Sequence, residues 1–320
     1  HVLDLINRLT MPVVTTLHTV LDAPSPAQRG VLERIIETSA RVVVMAEKGR
    51  ALLQSVYGVL AGKIEVIPHG VPEMEFVDPE PTKARLGFAG RQVILTFGLL
   101  SPNKGVEVVI DAMPLILRTC PTAVYVVLGA THPNLVRSEG EAYRESLMAR
   151  AHALGVGGHV VLVDGFMAQE RLLDFIAMAD LYVTPYLTAG QMTSGTLAYS
   201  FGLGKAVVST PYWHASELLA NGNGALVPFN DAPATGQAIA TLLGDDALRE
   251  AMRRRAYAAS RAMTWPRTAE RYLATFEAVR AEHAGRQQAR RRHALAAALP
   301  AVRLGHRGAA RRAPRAKRVG

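Results

Sequence analysis

Nine short runs of apolar, often β-branched residues recur along this chain and alternate with longer amphipathic stretches. The runs are almost continuously apolar, which is typical of parallel strands that are covered on both faces. Strands that alternate with helices favour a doubly wound α/β fold. The predicted strands are residues 13–17, 41–45, 64–67, 92–97, 123–128, 160–163, 181–184, 206–209 and 225–227.

The amphipathic stretches between these strands predict helices that cover the sheet. The predicted helices are residues 26–39, 47–57, 104–117, 141–154, 169–178, 194–203, 215–220, 234–243, 246–261 and 265–281.

A break in the pattern falls at residues 67–72, Ile-Pro-His-Gly-Val-Pro, and an acidic, Pro-rich segment without helical periodicity follows it. Upstream of the break there are too few strand–helix units for a complete Rossmann sheet, and the chain enters an amphipathic stretch directly at His1. We therefore expect the upstream part to be the remnant of an N-terminal domain. The predicted divisions are 1–70 (this remnant), 71–262 (a complete Rossmann-like domain), 263–282 (a C-terminal helix) and 283–320 (a basic low-complexity tail).

The formal net charge of +9 comes from the tail and not from the predicted fold. Eleven of the 36 Lys and Arg residues lie between Arg286 and Arg318, where there is no Asp or Glu, which leaves 25 basic and 27 acidic residues elsewhere. A block of like charges with few apolar residues predicts a disordered segment. It gives no support to a nucleic-acid-binding domain, because the tail lacks interleaved aromatic residues that stack on bases.

The single cysteine, Cys120, excludes a disulfide within the chain and fits a reducing compartment. No apolar run approaches the roughly 18–20 residues that a bilayer-spanning helix needs. We expect a cytoplasmic location.

The first candidate site is the turn at residues 98–105, Gly-Leu-Leu-Ser-Pro-Asn-Lys-Gly, between a predicted strand and a helix expected to begin near Lys104. Backbone N–H groups at a helix start attract anions, and Lys104 adds a full positive charge. Together they suit a diphosphate, while an ordinary turn with a surface lysine has the same local pattern. The glycine spacing fits neither a Walker A loop nor the Gly-x-Gly-x-x-Gly fingerprint.

The second candidate site is the loop of small residues at 188–196, which also links a predicted strand to a helix. Ser194, Gly195 and Thr196 would let a ligand approach the backbone at the helix start. The alternative is a helix that Thr193 or Ser194 simply caps. Because the carboxyl ends of parallel strands meet at one edge of a sheet, we expect both loops to face one crevice.

Three further polar side chains follow predicted strands: His18, His214 and Glu217. His18 either faces a cleft or is a hydrogen-bonded structural histidine. His214 either contacts a ligand or caps its helix. The sequence has no zinc-ligand spacing, no Gly-x-Ser-x-Gly and no metal-carrying Asp-x-Asp, so we expect neither a metal nor a cofactor.

In their order along the chain, these motifs resemble those of the retaining GT-B glycosyltransferases of family 4, the group 1 glycosyltransferases. The resemblance runs from residue 10 to about residue 280. The family's Ile-Pro-Asn/His-Gly-Val, its Gly-Arg-Leu-x-x-x-Lys-Gly and its Ala-Asp-hydrophobic-Pro-Ser strand are similar to residues 67–71, 98–105 and 179–185. Residues 204–210, Glu217, 224–227 and 263–265 then follow in the family's order.

The resemblance implies a GT-B fold with one complete Rossmann-like domain and the C-terminal part of a second, to which the last helix crosses back. It also implies that His18 lies beside the donor sugar and that Lys104 grips the donor diphosphate, which makes these two the expected catalytic residues. The residues matched to donor binding are Gly98, Lys104, Ser194, Gly195 and Thr196.

Three positions depart from the family pattern. Leu99 stands where the family has an arginine, which removes one charge from the phosphate site. Gln191 and Tyr199 occupy the positions of two glutamates that contact the donor sugar and the nucleotide ribose. Both can still hydrogen-bond hydroxyl groups, but neither supplies a negative charge.

The resemblance implies transfer of a hexosyl unit from a nucleoside diphosphate sugar to a carbohydrate or lipid-linked acceptor, with retention and without a metal. The missing glutamates leave open a catalytically silent nucleotide-binding module, and GT-B sugar phosphorylases and epimerases share the architecture. We expect the chain by itself to show weak or no turnover. We also expect the basic tail to contact an anionic membrane surface weakly, at the inner membrane face, without a specific nucleic-acid partner.

Overall fold

The computed structural model describes residues 2–298, and within them the strands form two parallel sheets. The three-stranded sheet has the order β1-β2-β3, with β1 at Val14–Thr16, β2 at Arg41–Val44 and β3 at Ile64–Val66. The strands of the six-stranded sheet are β4 (Gln92–Phe97), β5 (Ala123–Leu128), β6 (Val160–Val163), β7 (Leu181–Thr184), β8 (Ala206–Ser209) and β9 (Ala225–Leu226). Their order is β6-β5-β4-β7-β8-β9.

The chain therefore runs outward from β4 in one direction through β5 and β6, then returns to the other side of β4 through β7, β8 and β9. In open α/β sheets, ligands bind outside the carboxyl ends of the strands at such a reversal of strand order. The reversal lies between β4 and β7, the two strands that precede the two candidate loops. All nine predicted strands are present, each within one residue of its predicted bounds.

Thirteen α-helices lie within the described residues. They are α1 (Val2–Asn7), α2 (Pro26–Thr38), α3 (Glu47–Ser55), α4 (Glu80–Leu86), α5 (Val106–Thr119), α6 (Pro133–Glu139), α7 (Ala142–Ala153), α8 (Gln169–Met178), α9 (Gly195–Gly202), α10 (Trp213–Leu218), α11 (Ala232–Gly244), α12 (Asp246–Ser260) and α13 (Trp265–Ala298).

Helix α4 begins at the end of the acidic, Pro-rich segment, residues 73–81, for which the sequence predicts no helix. Pro81 is tolerated because it occupies the first turn, where its missing N–H would have no partner in the helix. The helix is held by Lys83, a buried lysine whose Nζ lies 2.7 Å from a carboxylate oxygen of Asp180. This contact joins residues far apart in sequence, so the local pattern gives no sign of it.

The prediction of a disordered tail from residue 283 is wrong as far as residue 298, because α13 runs unbroken from Trp265 to Ala298. The Ala, Arg, Gln and Leu residues of this stretch have high helix propensity, and a helix that has already formed extends at low cost. The predicted helix at 265–281 is too short for the same reason. The remainder of the predicted tail, 299–320, lies outside the described residues.

Helix α13 packs back along the three-stranded sheet. Its Arg271 donates from Nη2 to the carbonyl oxygen of Val66 at 2.6 Å, and the hydroxyl groups of Tyr272 and Thr16 lie 3.1 Å apart. The segment that links the two sheets is joined to the start of this helix, since the Trp265 N–H donates to the Val71 carbonyl at 2.9 Å. Within residues 2–298, no helix has both the length and the apolar character needed to cross a bilayer.

Candidate functional site

The two candidate loops meet at the carboxyl ends of β4 and β7. Gly98 has φ +127°, and a Cβ placed on it would lie 3.4 Å from the Thr196 side chain. Gly105 has φ +64°, and a Cβ there would lie only 2.0 Å from the carbonyl oxygen of Pro185. Glycine at 105 therefore lets the first loop pack directly on the residues that follow β7, and α5 begins at Val106 instead of the predicted Lys104.

Lys104 reaches from the first loop to Tyr186, a buried residue between the end of β7 and the second loop. Its Nζ donates to the Tyr186 hydroxyl at 2.8 Å and lies 4.1 Å from the centre of the ring. The Tyr186 hydroxyl is also 3.2 Å from Thr196 Oγ1 and 3.5 Å from Ser194 Oγ. The phenol thus connects the lysine charge to the hydroxyl groups at the start of α9.

The environment of Tyr186 lowers the pKa of its phenol. Burial alone would raise the pKa of the phenol, but the charge of Lys104 and the hydrogen bonds from Lys104, Ser194 and Thr196 outweigh it, so the pKa lies below its usual value. The same geometry keeps the ammonium group of Lys104 at the edge of the crevice, where it can attract an anion.

Helix α9 presents unpaired donors to this crevice. Ser194 is the N-cap, and its hydroxyl accepts from the Leu197 N–H. Among the hydrogen bonds of the described residues, the backbone N–H groups of Gly195 and Thr196 have no acceptor. Free N–H groups at a helix start, with the helix dipole behind them, form an anion site.

The residues at the two family glutamate positions lie at this site but face different surroundings. Gln191 folds back on its own loop, where its Nε2 donates to the Thr193 carbonyl at 2.6 Å. Tyr199 is half-buried on α9, and its ring centre lies 6.1 Å from that of His69. Neither introduces a carboxylate into the crevice.

His214 is almost completely buried and contacts the backbone of the second loop at Ser194. Its Nδ1 accepts from the Ser194 N–H at 2.9 Å, which orients the N-cap of α9. Burial, and to a smaller extent the charge of His69, lowers the pKa of His214 to about 4, so the ring is neutral at physiological pH. It therefore caps a neighbouring helix and not its own.

Glu217 caps a helix beside the other sheet. Its two carboxylate oxygens accept from the backbone N–H groups of Glu47 and Lys48, at 2.8 and 3.2 Å. These groups open α3, whose own N-cap residue, Ala46, provides no side-chain acceptor. Both carboxylate oxygens are thereby engaged in joining the two sheets.

His18 is exposed and follows β1, on the three-stranded side of the crevice. It is close enough to His69 for its charge to lower the pKa of that residue. His18 and Lys104 therefore approach the crevice from opposite sheets. His69 is itself half-buried here, and the sequence alone identified it only as part of the interdomain motif.

An apolar cavity of about 290 Å³ adjoins the anion site. Gly98, Gly129 and Gly165 line this cavity and come just after β4, β5 and β6, so the cavity lies at the carboxyl ends of three neighbouring strands. Phe166 stands at the cavity with 91% of its surface exposed, and Leu99 lies in its wall instead of carrying a charge toward the phosphate site. The lining residues are Phe97, Gly98, Leu99, Leu128, Gly129, Ala130, Gly165, Phe166, Met167, Leu172 and Thr196.

Sequence reasoning missed this cavity, although a signal was present. Gly129 directly follows β5 and Gly165 comes just after β6, and their φ angles of +144° and +115° favour glycine. Glycines after adjacent parallel strands mark the edge of the sheet where ligands bind. Among the residues that the structure describes, no three or more His, Cys, Asp or Glu side chains are grouped to hold a metal ion.

Comparison with known families gives two matches that follow each other along the chain. Residues 91–245 match the family described as "Glycosyl transferases group 1", and residues 2–74 match the one described as "Glycosyltransferase Family 4".

Individual relatives of this chain are also glycosyltransferases. The chain is 28% identical to D-inositol 3-phosphate glycosyltransferase of Jonesia denitrificans, over 86% of this chain and 68% of the relative. It is 29% identical to the GDP-mannose-dependent alpha-(1-6)-phosphatidylinositol monomannoside mannosyltransferase of Mycolicibacterium smegmatis, over 71% of this chain and 59% of the relative.

Solved structures share the fold at low sequence identity. HepE of Anabaena in complex with UDP superposes with a TM-score of 0.71 at 21% identity, over 83% of this chain and 72% of the other. Sucrose-phosphate synthase of Thermosynechococcus elongatus gives 0.74 at 20% identity, over 87% and 70% of the two chains. The fold, the crevice and these matches define the class: the protein is a glycosyltransferase of GT-B fold, and hence an enzyme. Within that class, residues 91–245 match the group 1 glycosyltransferases and residues 2–74 match those of family 4.

Proposed function

We propose that this chain transfers a hexosyl unit, with weak turnover by itself, from a nucleoside diphosphate sugar to a carbohydrate or lipid-linked acceptor, with retention of configuration and without a metal. One arrangement carries the proposal. Lys104 and the free N–H groups of Gly195 and Thr196 lie beside an apolar cavity whose volume suits a nucleobase with its ribose. The diphosphate would lie between the base and the sugar.

The relatives support this donor class. Their names specify D-inositol 3-phosphate and phosphatidylinositol monomannoside as acceptors and GDP-mannose as a donor, and HepE binds UDP. In this chain, the task of the site is to stabilise the diphosphate as negative charge develops on its leaving oxygen. Preorganised N–H groups and a lysine do this without reorganising during the reaction, and here they take the role that a metal has in other transferases.

The remaining polar residues receive roles from their positions. Gln191 and Tyr199 would hydrogen-bond hydroxyl groups of the sugar and the ribose, and His18 would position the sugar from the opposite side of the crevice. His214 and Glu217 act indirectly, because one orients the Ser194 cap and the other joins the sheets. We place the enzyme in the cytoplasm, with weak contact between its basic C-terminal segment and an anionic inner membrane face.

A catalytically silent nucleotide-binding module is the second candidate. It is favoured by Gln191, whose amide is already engaged with the Thr193 carbonyl, and by the lack of a carboxylate at position 199. A sugar phosphorylase or an epimerase of GT-B fold would differ from both candidates in its product.

Calorimetric titration with UDP, GDP and ADP tests the donor site. We expect one of the three to bind, and Lys104→Met to weaken it by about 10- to 100-fold, the value of a hydrogen bond to a charged group. Lys63→Met is the matched control, because Lys63 precedes β3 at the amino end of the other sheet. Binding of none of the three nucleotides would refute the proposal.

Turnover then separates the candidates. The nucleotide sugar of the bound base is incubated with inositol phosphate or phosphatidylinositol mannoside acceptors, with and without a chelator. A glycosidic product of retained anomeric configuration in both conditions supports the transferase. Tight nucleotide binding without any product supports the silent module, and phosphate-dependent release of sugar or an epimerised nucleotide sugar would identify the other two activities.

A further inference from the structure

His69 lies in the segment between the two sheets, at the entrance of the crevice. Its Nδ1–H donates to the Gly70 carbonyl at 2.8 Å, and its ring lies 5.8 Å from that of Trp265. A Cβ at Gly70 would overlap the Trp265 ring at 2.1 Å, so this part of the segment cannot shift without disturbing the tryptophan. The imidazole is therefore held in one orientation.

That orientation directs Nε2 to the start of α9. Nε2 lies 3.1 Å from the position that a Cβ on Gly195 would occupy. Among the described residues, Nε2 has no hydrogen-bond partner, and neither do the N–H groups of Gly195 and Thr196 beside it. Three unpaired groups thus face one small volume, which is the volume assigned above to the diphosphate.

The charges around His69 explain why a further donor is needed there. Leu99 supplies no charge, and Lys104 approaches from the other side of Ser194 and Thr196 through Tyr186. The other titratable groups that face His69 are His18 after β1, the buried His214 on α10 and Tyr199 on α9. None of these is a carboxylate, so an anion would meet no opposing negative charge.

In the free protein His69 cannot donate from Nε2. Burial, assisted by the charge of His18 and partly offset by the hydrogen bond to Gly70, lowers the pKa of His69 below its ordinary value. The ring is therefore mostly neutral near pH 7, with its single proton on Nδ1 and a lone pair on Nε2. A lone pair that faced a phosphate oxygen would be repulsive.

We propose that His69 is a phosphate ligand of this enzyme, whose Nε2 takes up a proton from solvent when a diphosphate binds and then donates it in a hydrogen bond to a phosphate oxygen. The proposal rests on the donor site described under the proposed function. It gives the site a second cation in place of the charge absent at Leu99, one that exists only while the ligand is bound.

Protonation of His69 makes the affinity for diphosphate depend on pH in a definite direction. The pKa of His69 is lowered in the free protein and raised in the complex by the adjacent phosphate. Between these two values binding takes up a proton, and affinity falls by about tenfold for each unit of rising pH. Above both values the histidine is neutral in either state and the dependence ends.

The test is calorimetry with inorganic pyrophosphate and with whichever of UDP, GDP and ADP binds, at about pH 6 and about pH 8, the two sides of the histidine range. Each titration is repeated in two non-phosphate buffers of different ionisation enthalpy, so that proton uptake is measured directly. We compare the wild type with His69→Gln, because the Gln amide keeps a neutral N–H donor near the place of Nε2. The control is His293→Gln, on the exposed part of α13.

For the wild type and for His293→Gln we expect uptake approaching one proton and tighter binding at the lower pH. For His69→Gln we expect nearly one proton less to be taken up, so that only the proton exchange of the ligand's own terminal phosphate, whose pKa is about 6, remains. We also expect a weaker pH dependence than in the wild type, and affinity about tenfold below the wild type at about pH 6, where the charged hydrogen bond is lost. Uptake by His69→Gln equal to that of the wild type would overturn the proposal, and so would wild-type binding without uptake.

Two comparisons keep this result separate from the proposed function. If Lys104→Met abolishes nucleotide binding while His69→Gln behaves as the wild type, the donor site stands and the role of His69 is refuted. If no nucleotide and no pyrophosphate binds the wild type, both are refuted. An NMR titration of the imidazole protons, with the His69 signal assigned by its loss in His69→Gln, must show a higher pKa with pyrophosphate, whether or not the variant is fully stable.

Discussion

The two sheets of this enzyme are stabilised in different ways. The four inner strands of the six-stranded sheet are almost entirely buried, and the cores on its two faces are built from residues of its own region, between Val71 and Met263. The three-stranded sheet has a half-buried edge strand, β1, and its core includes Met192 and packs against Trp213, which both come from the other region.

This difference ties the smaller sheet to the candidate site. Met192 lies two residues before the Ser194 cap of α9, and Trp213 directly precedes His214, which holds that cap. The residues that complete the small core are therefore neighbours in sequence of those that shape the anion site. We expect damage to the large sheet to lower the stability of the whole molecule, and damage at the contact between the sheets to loosen the small sheet first.

The largest loss of stability is expected from Asp180→Asn, directly before β7 of the large sheet. Asp180 pairs with the buried Lys83 at 2.7 Å and also accepts from the Val93 N–H at 2.6 Å. The substitution leaves a buried ammonium with only the exposed Glu80 as a charged partner, so the free energy of unfolding should fall by about 3–5 kcal/mol. Denaturant unfolding followed by circular dichroism measures it.

The control for this prediction is the double variant Lys83→Met/Asp180→Asn, which removes the buried charge together with its partner. It should recover a large part of the lost stability, because replacing both members of a buried pair costs far less than removing one. A single variant as stable as the wild type would show that the large sheet does not depend on this ion pair.

The next largest loss of stability is expected in acid and comes from His214, which holds the Ser194 cap beside the contact between the sheets. The pKa of His214 is lowered to about 4 in the folded protein, against about 6.5 in an unfolded chain. The unfolded state therefore binds the proton first, and stability contributed by the neutral ring is lost as pH falls from about 6.5 to about 4. The loss should approach about 3 kcal/mol, because a tenfold difference in proton affinity between the two states is worth about 1.4 kcal/mol.

His214→Asn isolates this contribution from other titrating groups. The Asn side-chain oxygen can accept from the Ser194 N–H where Nδ1 does, but it does not titrate. Unfolding curves at several pH values should show a shallower loss of stability in acid for the variant than for the wild type. Parallel curves for the two proteins would exclude His214 as the group responsible.

The sequence predicts those parts of this molecule that local patterns determine. Strands of the large sheet, such as β5 and β7, are continuous apolar runs whose type and limits follow from burial on both faces. The loops after β4 and β7 were also predicted as anion sites from their position. Local patterns did not indicate α4, whose stability comes from the long-range pair of Lys83 with Asp180. The division of the chain into domains near residue 70 stays a prediction.

Within the candidate site, single residues were predicted where a motif contains them and missed where only the fold brings them in. Lys104 and Ser194 belong to recognisable loops. Tyr186 was passed over because its importance arises from the approach of Lys104, 82 positions away in sequence. Glu217 follows the family order, yet its contact with the start of α3 spans 170 positions, and no local pattern announces it.

The smallest predicted effect tests the small sheet through that contact. Glu217→Ala removes the only side-chain acceptor that the described residues provide at the start of α3, so the free energy of unfolding should fall by about 1 kcal/mol, as for a lost helix cap. Glu139→Ala, at the exposed end of α6, is the control.

Both tryptophans of the chain, Trp213 and Trp265, lie where the two sheets meet, so their fluorescence reports this contact while circular dichroism reports all helices. For Glu217→Ala the fluorescence transition should precede the circular dichroism transition, whereas coincident transitions would mean that the small sheet is no less firmly held than the large one.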